Sequence, residues 1–249
     1  MKAKEYEKMY EAETRYFWFV GKHRLLSAII KGLLKDNEDL MILDIGCGTG
    51  GFLQKAVCVG EAVGLDWDKG ALSFCQSRGL KKLIRADWDF SPIREGCFDV
   101  VVASDFIEHL DDDVSAVKKM YSTLKKGGLL LITVPAYPWM FSSHDLALNH
   151  KRRYSRAMLE NLLKCAGVSE VKLFYWGGML FPFMFPVRIT QKVLLKKRNN
   201  EGKYETIKYE LPRFLNDFFM WLLDFELRRI KENKPMKVGS SLVAIAVKR

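Results

Sequence analysis

A glycine-rich segment between an acidic residue and a predicted helix is the feature of the sequence best suited to chemistry. Asp44 is followed by Gly46, Gly48 and Gly50 in the run DIGCGTG. Glycines lack the side chains that would keep a ligand away from the backbone, and they can adopt unusual φ angles. The start of a helix adds free N–H groups. An acid directly before the loop suits a positively charged ligand better than it suits a pyrophosphate. We therefore predict a site for a cationic ligand at this loop.

Two acid–aromatic pairs follow the loop. Asp66 and Trp67 come 22 residues after Asp44, at the end of a predicted strand, and Asp87 and Trp88 end the next one. An acid at the end of the second strand can accept hydrogen bonds from both hydroxyls of a ribose. Trp67 can cover one face of an adenine, whereas Asp87 and Trp88 suit its exocyclic amine and its other edge. The two pairs therefore predict an adenosine site.

His109, in the segment DFIEHLDD, is the first candidate for a catalytic base. It lies just past the fourth predicted strand, at the sheet edge where open α/β folds bind their ligands. A base at this place could take the proton of a hydroxyl acceptor. The alternative interpretation is a histidine that packs or caps a helix.

A basic cluster follows the fifth predicted strand, in the run SSHDLALNHKRRYS. His144 and Tyr154 are further catalytic candidates, and His150, Arg152 and Arg153 are predicted to bind substrate. Arginine presents a bidentate fork to carboxylate or phosphate. So many cations suit a helix N-terminus poorly, which favours substrate binding over a basic loop that only begins a helix. No carboxylate and histidine set has convincing ligand spacing, so no metal site is expected.

These residues lie in an alternation of short apolar runs and longer mixed segments. The runs are rich in Val, Ile and Leu and too continuous for a sheet with one exposed face, as in parallel strands covered on both sides. Strands alternating with helices predict βαβ units and a parallel sheet. The strands are predicted at 40–44, 62–66, 82–87, 98–104 and 128–134, and the helices at 50–59, 69–79 and 113–126, the last with a glycine cap.

After the fifth strand this pattern changes. A helix at 155–166 and a strand at 168–175 are predicted, and a final strand follows only at 241–247. The segment between these two strands contains an aromatic, proline-containing stretch and an amphipathic helix. We predict three parts: a helical lid segment (1–36), a ligand-binding domain (37–175 and 240–249) and an insertion that caps the acceptor site (176–239).

In its motifs the sequence resembles the class I S-adenosylmethionine-dependent methyltransferases. DIGCGTG at 44–50 matches their first motif, and Asp66, Asp87–Trp88 and the segment 98–112 match the later ones in order and spacing. The resemblance implies a doubly wound, Rossmann-like α/β fold with seven strands, mostly parallel, and one antiparallel strand from a final hairpin. It implies S-adenosylmethionine as cofactor, bound by Asp44, Gly46, Cys47, Gly48, Gly50, Asp66, Trp67, Asp87, Trp88 and Ser104.

Within that set the resemblance places Gly46, Gly48 and Ser104 at the methionine portion, Asp66 at the ribose and Asp87 at the adenine. A nicotinamide-binding Rossmann domain is the alternative for the loop, with Gly51 as its third glycine. That alternative gives no role to the acid before the loop or to the second acid–aromatic pair.

The N-terminal segment 16–26, YFWFVGKHRLL, is similar to the start of a bacterial subgroup often found with cell-envelope glycan and lipid pathways. Trp18 and Phe19 are predicted either to form a lid over the cofactor, with Arg24 near its carboxylate, or to pack a helix on the sheet.

The charge of the chain is unevenly divided. Residues 1–147 carry a net charge of −2 and residues 148–249 a net charge of +12. The excess is either a solvated basic surface or a face that attracts an anionic substrate, an acidic membrane or nucleic acid. We expect methyl transfer to a small or lipid-linked, anionic acceptor, with RNA methylation and non-catalytic cofactor binding as alternatives. No RNA-binding module is recognisable, which argues against nucleic acid as a partner.

The remaining features concern location. Five cysteines at irregular spacing indicate neither a disulfide framework nor a zinc signature. The first residues lack the apolar run of a secretory signal, so a cytoplasmic location is expected. The aromatic stretch 174–187 is shorter than the roughly 20 residues of a membrane span. It is therefore either buried core under the cap, a hydrophobic acceptor pocket, or a lipid-facing surface that would give peripheral membrane contact.

Overall fold

The computed structural model describes residues 3–34, 39–197 and 209–249, and its seven strands form one sheet. In chain order the strands are β1 (Met41–Ile45), β2 (Glu61–Asp66), β3 (Leu83–Arg85), β4 (Phe98–Ser104), β5 (Leu124–Pro135), β6 (Val171–Trp176) and β7 (Ser241–Val247). Their order across the sheet is β3-β2-β1-β4-β5-β7-β6. Neighbouring strands are parallel except that β7 runs antiparallel to both β5 and β6. The predicted doubly wound, mostly parallel α/β sheet is confirmed.

Helices cover both faces of this sheet. They are α1 (Ala3–Arg15), α2 (Phe17–Leu33), α3 (Leu53–Ala56), α4 (Lys69–Ser77), α5 (Asp113–Thr123), α6 (Ser143–Ala147), α7 (Arg156–Cys165), α8 (Phe181–Lys197) and α9 (Arg213–Lys231), with short 3₁₀ turns at Ile107–His109 and Pro138–Met140.

Two hydrophobic cores lie on the two faces because successive side chains of a strand point in opposite directions. Along β4, Val101 and Ala103 pack in the core that contains α5 and α7. Val100 and Val102 pack in the other core, which contains α2, α4 and α9. This double coverage explains why the strands read as continuous apolar runs.

The predicted end of the helix at 113–126 is wrong. Helix α5 ends at Thr123, and the next residues begin β5. Gly127 does not cap a helix; it has a φ of +78° inside β5, and its N–H donates to the carbonyl of Lys248. Pairing with the C-terminal strand therefore outweighs the local helix-ending signal.

The insertion predicted at 176–239 packs along α2 as well as beside the ligand-binding edge. Leu223 of α9 is fully buried against Gly21 of α2, where a Cβ atom would lie 2.4 Å from its Cδ1. The side chain of Asn216 accepts a hydrogen bond from the N–H of Phe17 at 2.9 Å. Residues 198–208 of the insertion lie outside the described residues. Among the helices of the described ranges, none is long and apolar enough to cross a bilayer.

Candidate active site

A cavity of about 670 Å³ opens at the carboxyl ends of the parallel strands. Asp44, Asp66 and Ser104, at or near the ends of β1, β2 and β4, line it, and Pro135 at the end of β5 lies on the other side. This is the edge at which open α/β sheets bind their ligands. Its volume is within the usual range for small-molecule sites.

The glycine loop after β1 is held against β2 and faces the cavity. The N–H groups of Gly46 and Cys47 both donate to the carbonyl of Leu65, at 2.8 and 3.0 Å. Gly46 has a φ of +69°, and a Cβ atom there would lie 2.4 Å from the ring of Phe106. Gly46, Cys47 and Gly48, which are predicted to bind the cofactor, line the cavity. Gly50 is not among the lining residues; it faces Leu80 and Cys75, so it serves packing.

Asp66 joins the glycine loop to the start of α4. Its Oδ2 accepts a hydrogen bond from the N–H of Gly48 at 3.0 Å, and its Oδ1 accepts one from the N–H of Asp68 at 2.9 Å. The carboxyl is 7% exposed, and burial raises its pKa above the ordinary value. Each carboxylate oxygen retains a second lone pair, so Asp66 can still accept hydrogen bonds from a ligand.

Three carboxyl groups share this side of the cavity. Burial, together with the nearby carboxyls of Glu13 and Asp66, raises the pKa of Asp44 well above its ordinary value. Burial raises the pKa of Glu13 to about 7, although Thr49 and Arg78 act in the opposite direction. Crowded carboxyls favour a bound positive charge. This donor set fits a ligand with cationic groups.

The predicted adenine residues are differently placed. Trp67 is 62% exposed and Asp87 is exposed; both line the cavity. The indole of Trp88 lies in the core, is 2% exposed, and donates its N–H to the carbonyl of Ala116 at 3.2 Å. Its indole N–H is therefore used inside the protein, although Trp88 also contributes to the lining of the cavity, and its contact with the adenine stays a prediction.

Helix α1 contributes residues to the cavity that sequence reasoning missed. Tyr6, Met9 and Glu13 line it from this helix, and Lys22 does so from α2. The residues of α1 are predicted only to belong to a helical lid segment, and nothing in their sequence distinguishes a residue that faces a ligand from one that faces a core.

The residues of the predicted lid do not all lie at the cavity. Trp18 and Phe19 line the cavity. Arg24 does not; it forms a two-point ion pair with Asp224 of α9, at 2.9 and 2.8 Å. The expectation that Arg24 lies near the cofactor carboxylate is therefore wrong.

His109, His144 and His150 line the far side of the same cavity. The Nδ1 of His109 lies 3.2 Å from the carbonyl oxygen of Asn149. Because a carbonyl only accepts, this Nδ1 carries the proton and Nε2 the lone pair. Burial, then the neighbouring His150, lowers the pKa of His109 to about 4. The ring is therefore neutral near pH 7.

Two residues of the basic cluster, Arg152 and Tyr154, are bonded to other parts of the protein and are not among the residues that line the cavity. The Tyr154 hydroxyl is buried and donates to Asp113 at 2.7 Å, which raises its pKa far above the ordinary value in addition to the effect of burial. Arg152 donates to the same carboxylate at 2.9 Å and to two backbone carbonyls. The catalytic role predicted for Tyr154 and the substrate role predicted for Arg152 are therefore wrong.

Arg153 lines the cavity but its charge is already paired. Its Nε donates to Asp145 at 2.7 Å, and its Nη1 donates to the carbonyl of Ala136 at 3.1 Å. The sequence could not reveal this ion pair, because Asp145 belongs to α6 and meets Arg153 only once the chain has folded.

Part of the chain is similar to known methyltransferases. A family model described as a methyltransferase domain matches residues 43–132. A probable S-adenosylmethionine-dependent methyltransferase of Mycolicibacterium smegmatis is 32% identical over 130 residues, 51% of this chain and 51% of that protein. A ubiquinone biosynthesis O-methyltransferase of Bordetella bronchiseptica is 32% identical over 95 residues, 35% of this chain and 39% of that protein. The chain thus spans about half the length, or less, of these relatives.

Solved structures agree on the fold. A SAM-dependent methyltransferase from Archaeoglobus fulgidus superposes with a TM-score of 0.57 at 19% identity, covering 91% of this chain and 94% of the other. The glycine loop, the crowded acids and the cavity volume all fit S-adenosylmethionine, the cofactor of these proteins. Residues 43–132 match a methyltransferase domain, and in sequence and fold the chain is similar to class I S-adenosylmethionine-dependent methyltransferases.

Proposed function

We propose that this protein transfers a methyl group from S-adenosylmethionine to a small or lipid-linked acceptor. The observation that carries the proposal is one continuous cavity. The glycine loop and the acids line one side of it, and His109, His144 and His150 line the other. Methyl transfer is an in-line displacement, so much of the protein's task is to align two reactants. A cavity with a cofactor side and a separate polar side supports this task.

On the cofactor side, each residue has a chemical role that follows from its position. Asp66 would accept hydrogen bonds from the ribose, Asp87 from the adenine amine, and the loop at Gly46 and Gly48 would lie against the methionine portion. When bound, S-adenosylmethionine supplies a methyl group on a positively charged sulfur. The carboxyl of Asp44 and the lining aromatic rings favour such a charge by Coulomb and cation–π attraction.

On the acceptor side, the available groups are imidazoles. Since Nδ1 of His109 and of His150 is engaged by Asn149 and Asp145, Nε2 is the atom that each can offer. His144 stays a predicted base on this side. Arg152 and Arg153, the two arginines of the basic cluster, already have acidic partners, so they give no direct support for an anionic acceptor. That the acceptor is anionic therefore stays a prediction from the net charge of +10.

A lipid-linked acceptor is supported by the outer surface of the insertion. Phe218, Trp221 and Phe225 of α9 are 42%, 55% and 37% exposed, and Phe183 and Phe185 of α8 are exposed beside them. Exposed aromatic side chains next to basic residues are typical of surfaces that contact anionic membranes. The Bordetella relative is named for ubiquinone biosynthesis, and ubiquinone is a lipid. We infer peripheral membrane contact through this face.

The function is tested with S-adenosylmethionine labelled in its methyl group and a cell extract separated into lipid, RNA and small-molecule fractions. We expect label in the lipid or small-molecule fraction, and none with a Gly48→Val variant. Label only in RNA would contradict the proposal, as would cofactor binding without transfer to any fraction.

Membrane contact is tested by flotation with vesicles. We expect binding to vesicles with anionic lipids, weakened by salt and by Trp221→Glu, and no binding to zwitterionic vesicles. The control is Phe90→Glu, which changes an 87% exposed aromatic residue outside α8 and α9. Equal binding of the Trp221 variant and the wild type would contradict this contact.

A further inference from the structure

Glu108, His109 and His150 meet on the acceptor side of the cavity. The first two belong to the 3₁₀ turn Ile107–His109 after β4, and the third follows α6. Each offers one ligand atom, and these atoms lie within 4.8 Å of one another. Forty-one positions separate the two histidines, so no ligand spacing was visible in the sequence.

Both imidazoles are oriented by a second partner. The Nδ1 of His150 lies 3.0 Å from Oδ1 of Asp145, and the Nδ1 of His109 lies 3.2 Å from the carbonyl of Asn149. These oxygens only accept, so both Nδ1 atoms carry protons, and Nε2 is the ring nitrogen of each histidine that is left to bind a ligand. A histidine whose Nδ1–H is held by a carboxylate or carbonyl is the usual arrangement around a metal ion.

Glu108 is a fully buried carboxyl whose oxygens lack hydrogen-bond partners within the described residues. The nearest imidazole nitrogen, Nε2 of His150, is 3.9 Å from Oε1, beyond hydrogen-bond distance. A buried charge without a partner is costly and calls for a cation or a proton.

The other carboxylates of this region already have their cations. Asp105 pairs with Lys22, and Asp145 pairs with Arg153 at 2.7 Å. Glu108 forms no such ion pair with Lys22 or Arg153. A divalent ion between Glu108 and the two Nε2 atoms would balance the charge of this carboxylate and supply the missing partners.

We propose that Glu108, His109 and His150 bind a divalent transition-metal ion of the Zn²⁺ class. Two imidazoles and one carboxylate are a ligand set that zinc takes with a fourth position left open. Ligand atoms around such an ion lie about 3.4 Å apart, so the observed separation needs only a small inward movement. The open position would face the cavity that His109 and His150 line.

This site does not depend on methyl transfer for its existence. With an ion bound to Nε2, neither His109 nor His150 could serve as a proton acceptor. The two roles of His109, base and metal ligand, are therefore alternatives that one set of measurements separates.

The test is calorimetric titration of tag-free, chelator-treated protein with Zn²⁺ alone. We expect one ion per chain, with affinity lowered at least about tenfold in Glu108→Gln and His150→Asn, and about tenfold in Asp145→Asn through loss of the orienting bond. The matched control is His144→Asn, which lines the same cavity outside this group and should keep the wild-type affinity. No binding, or equal binding by Glu108→Gln and the wild type, would overturn the proposal.

Cobalt(II) gives a second measurement that needs no variant. In the wild type we expect the visible bands of a four-coordinate ion with nitrogen and oxygen ligands. A sulfur-to-metal charge-transfer band would place the ion on a cysteine and overturn the assignment. Because Gly48→Val should lose transfer but keep the cobalt spectrum, failure of the metal site and failure of the proposed function are distinguishable.

Discussion

The Asp66 carboxylate accepts hydrogen bonds from two backbone N–H groups and also lines the cavity. Through Gly48 it fixes the glycine loop, and through Asp68 it fixes the residue that caps α4. Its remaining lone pairs face the place proposed for the ribose. One side chain therefore shapes the loop and also lies where it could bind the ligand.

Replacement of Asp66 by alanine should remove both effects. We expect cofactor affinity to fall about 100-fold or more, since two hydrogen bonds to a charged group contribute roughly 3 kcal/mol. Titration calorimetry with S-adenosylhomocysteine measures this change. Asp68→Ala, which removes the α4 cap but no cavity residue, is the control and should keep its affinity. An Asp66→Ala protein that binds like the wild type would contradict the assignment.

At this scale, sequence reasoning succeeded where a motif is local. The residues from Asp44 to Gly48 form the end of β1 and the turn that follows it, so their spacing alone brings them to the sheet edge. It failed for Arg152 and Tyr154, whose shared partner Asp113 lies about 40 positions away. A basic residue that meets an acid only after folding looks the same in sequence as one that awaits a substrate.

The contact between α2 and α9 determines how the insertion is held. Gly21 lies directly beneath Leu223, whereas a Cβ atom added at Gly32 of the same helix would meet no other atom within 4 Å. The same substitution can therefore be made on one helix at a glycine that packs against Leu223 and at a glycine with open space around it.

Gly32→Ala should stabilise the protein by roughly 0.5–1 kcal/mol through helix propensity. Gly21→Ala should be less stable than Gly32→Ala by about 1–3 kcal/mol, because the added methyl displaces the fully buried Leu223. Chemical denaturation of both variants measures the difference. Equal free energies of unfolding of the two variants would show that Leu223 can move away from an alanine at position 21 without loss of stability.

Glu226 links α9 to the turn after β6. Its two oxygens accept hydrogen bonds from the N–H groups of Gly178 and Met179, both at 3.2 Å. Burial raises its pKa from 4.5 to about 7 in spite of these bonds. Between these pH values the folded state holds a proton that the unfolded chain has released, so stability falls as pH rises.

Glu226→Gln cannot titrate, which isolates this effect from other groups. We expect the free energy of unfolding of the variant, relative to the wild type, to increase between pH 4.5 and about 7 and then level off. Urea unfolding at several pH values measures it. A difference that stays constant with pH would contradict the raised pKa.

For the whole molecule, the alternation of apolar runs predicted the sheet because parallel strands covered on both faces leave little room for polar residues. The placement of α1 and α9 could not be predicted in the same way. Their apolar faces indicate burial without naming the partner, and only the structure shows α1 beside the cavity and α9 on α2.

Because residues distant in sequence, from Tyr6 to Ser241, line one cavity, its ligand should stabilise the entire fold. At a concentration of about 100 times the Kd, S-adenosylhomocysteine should add roughly 2.7 kcal/mol to the free energy of unfolding. Thermal denaturation with and without ligand measures this. The Asp66→Ala protein should gain almost nothing, and an equal gain would place the ligand elsewhere.

Strand β7 lies between β5 and β6 although it is the last of the seven to be synthesised. During translation, β6 therefore has no neighbour in the sheet until the ribosome has released residues 241–247. The nascent chain must keep two unsatisfied strand edges apart over that interval. A ribosome stalled before this point would hold a sheet of five strands with β5 unpaired on one side, and this open edge could associate with other chains. Synthesis of β7 would cover the edge and bring β6 into the sheet.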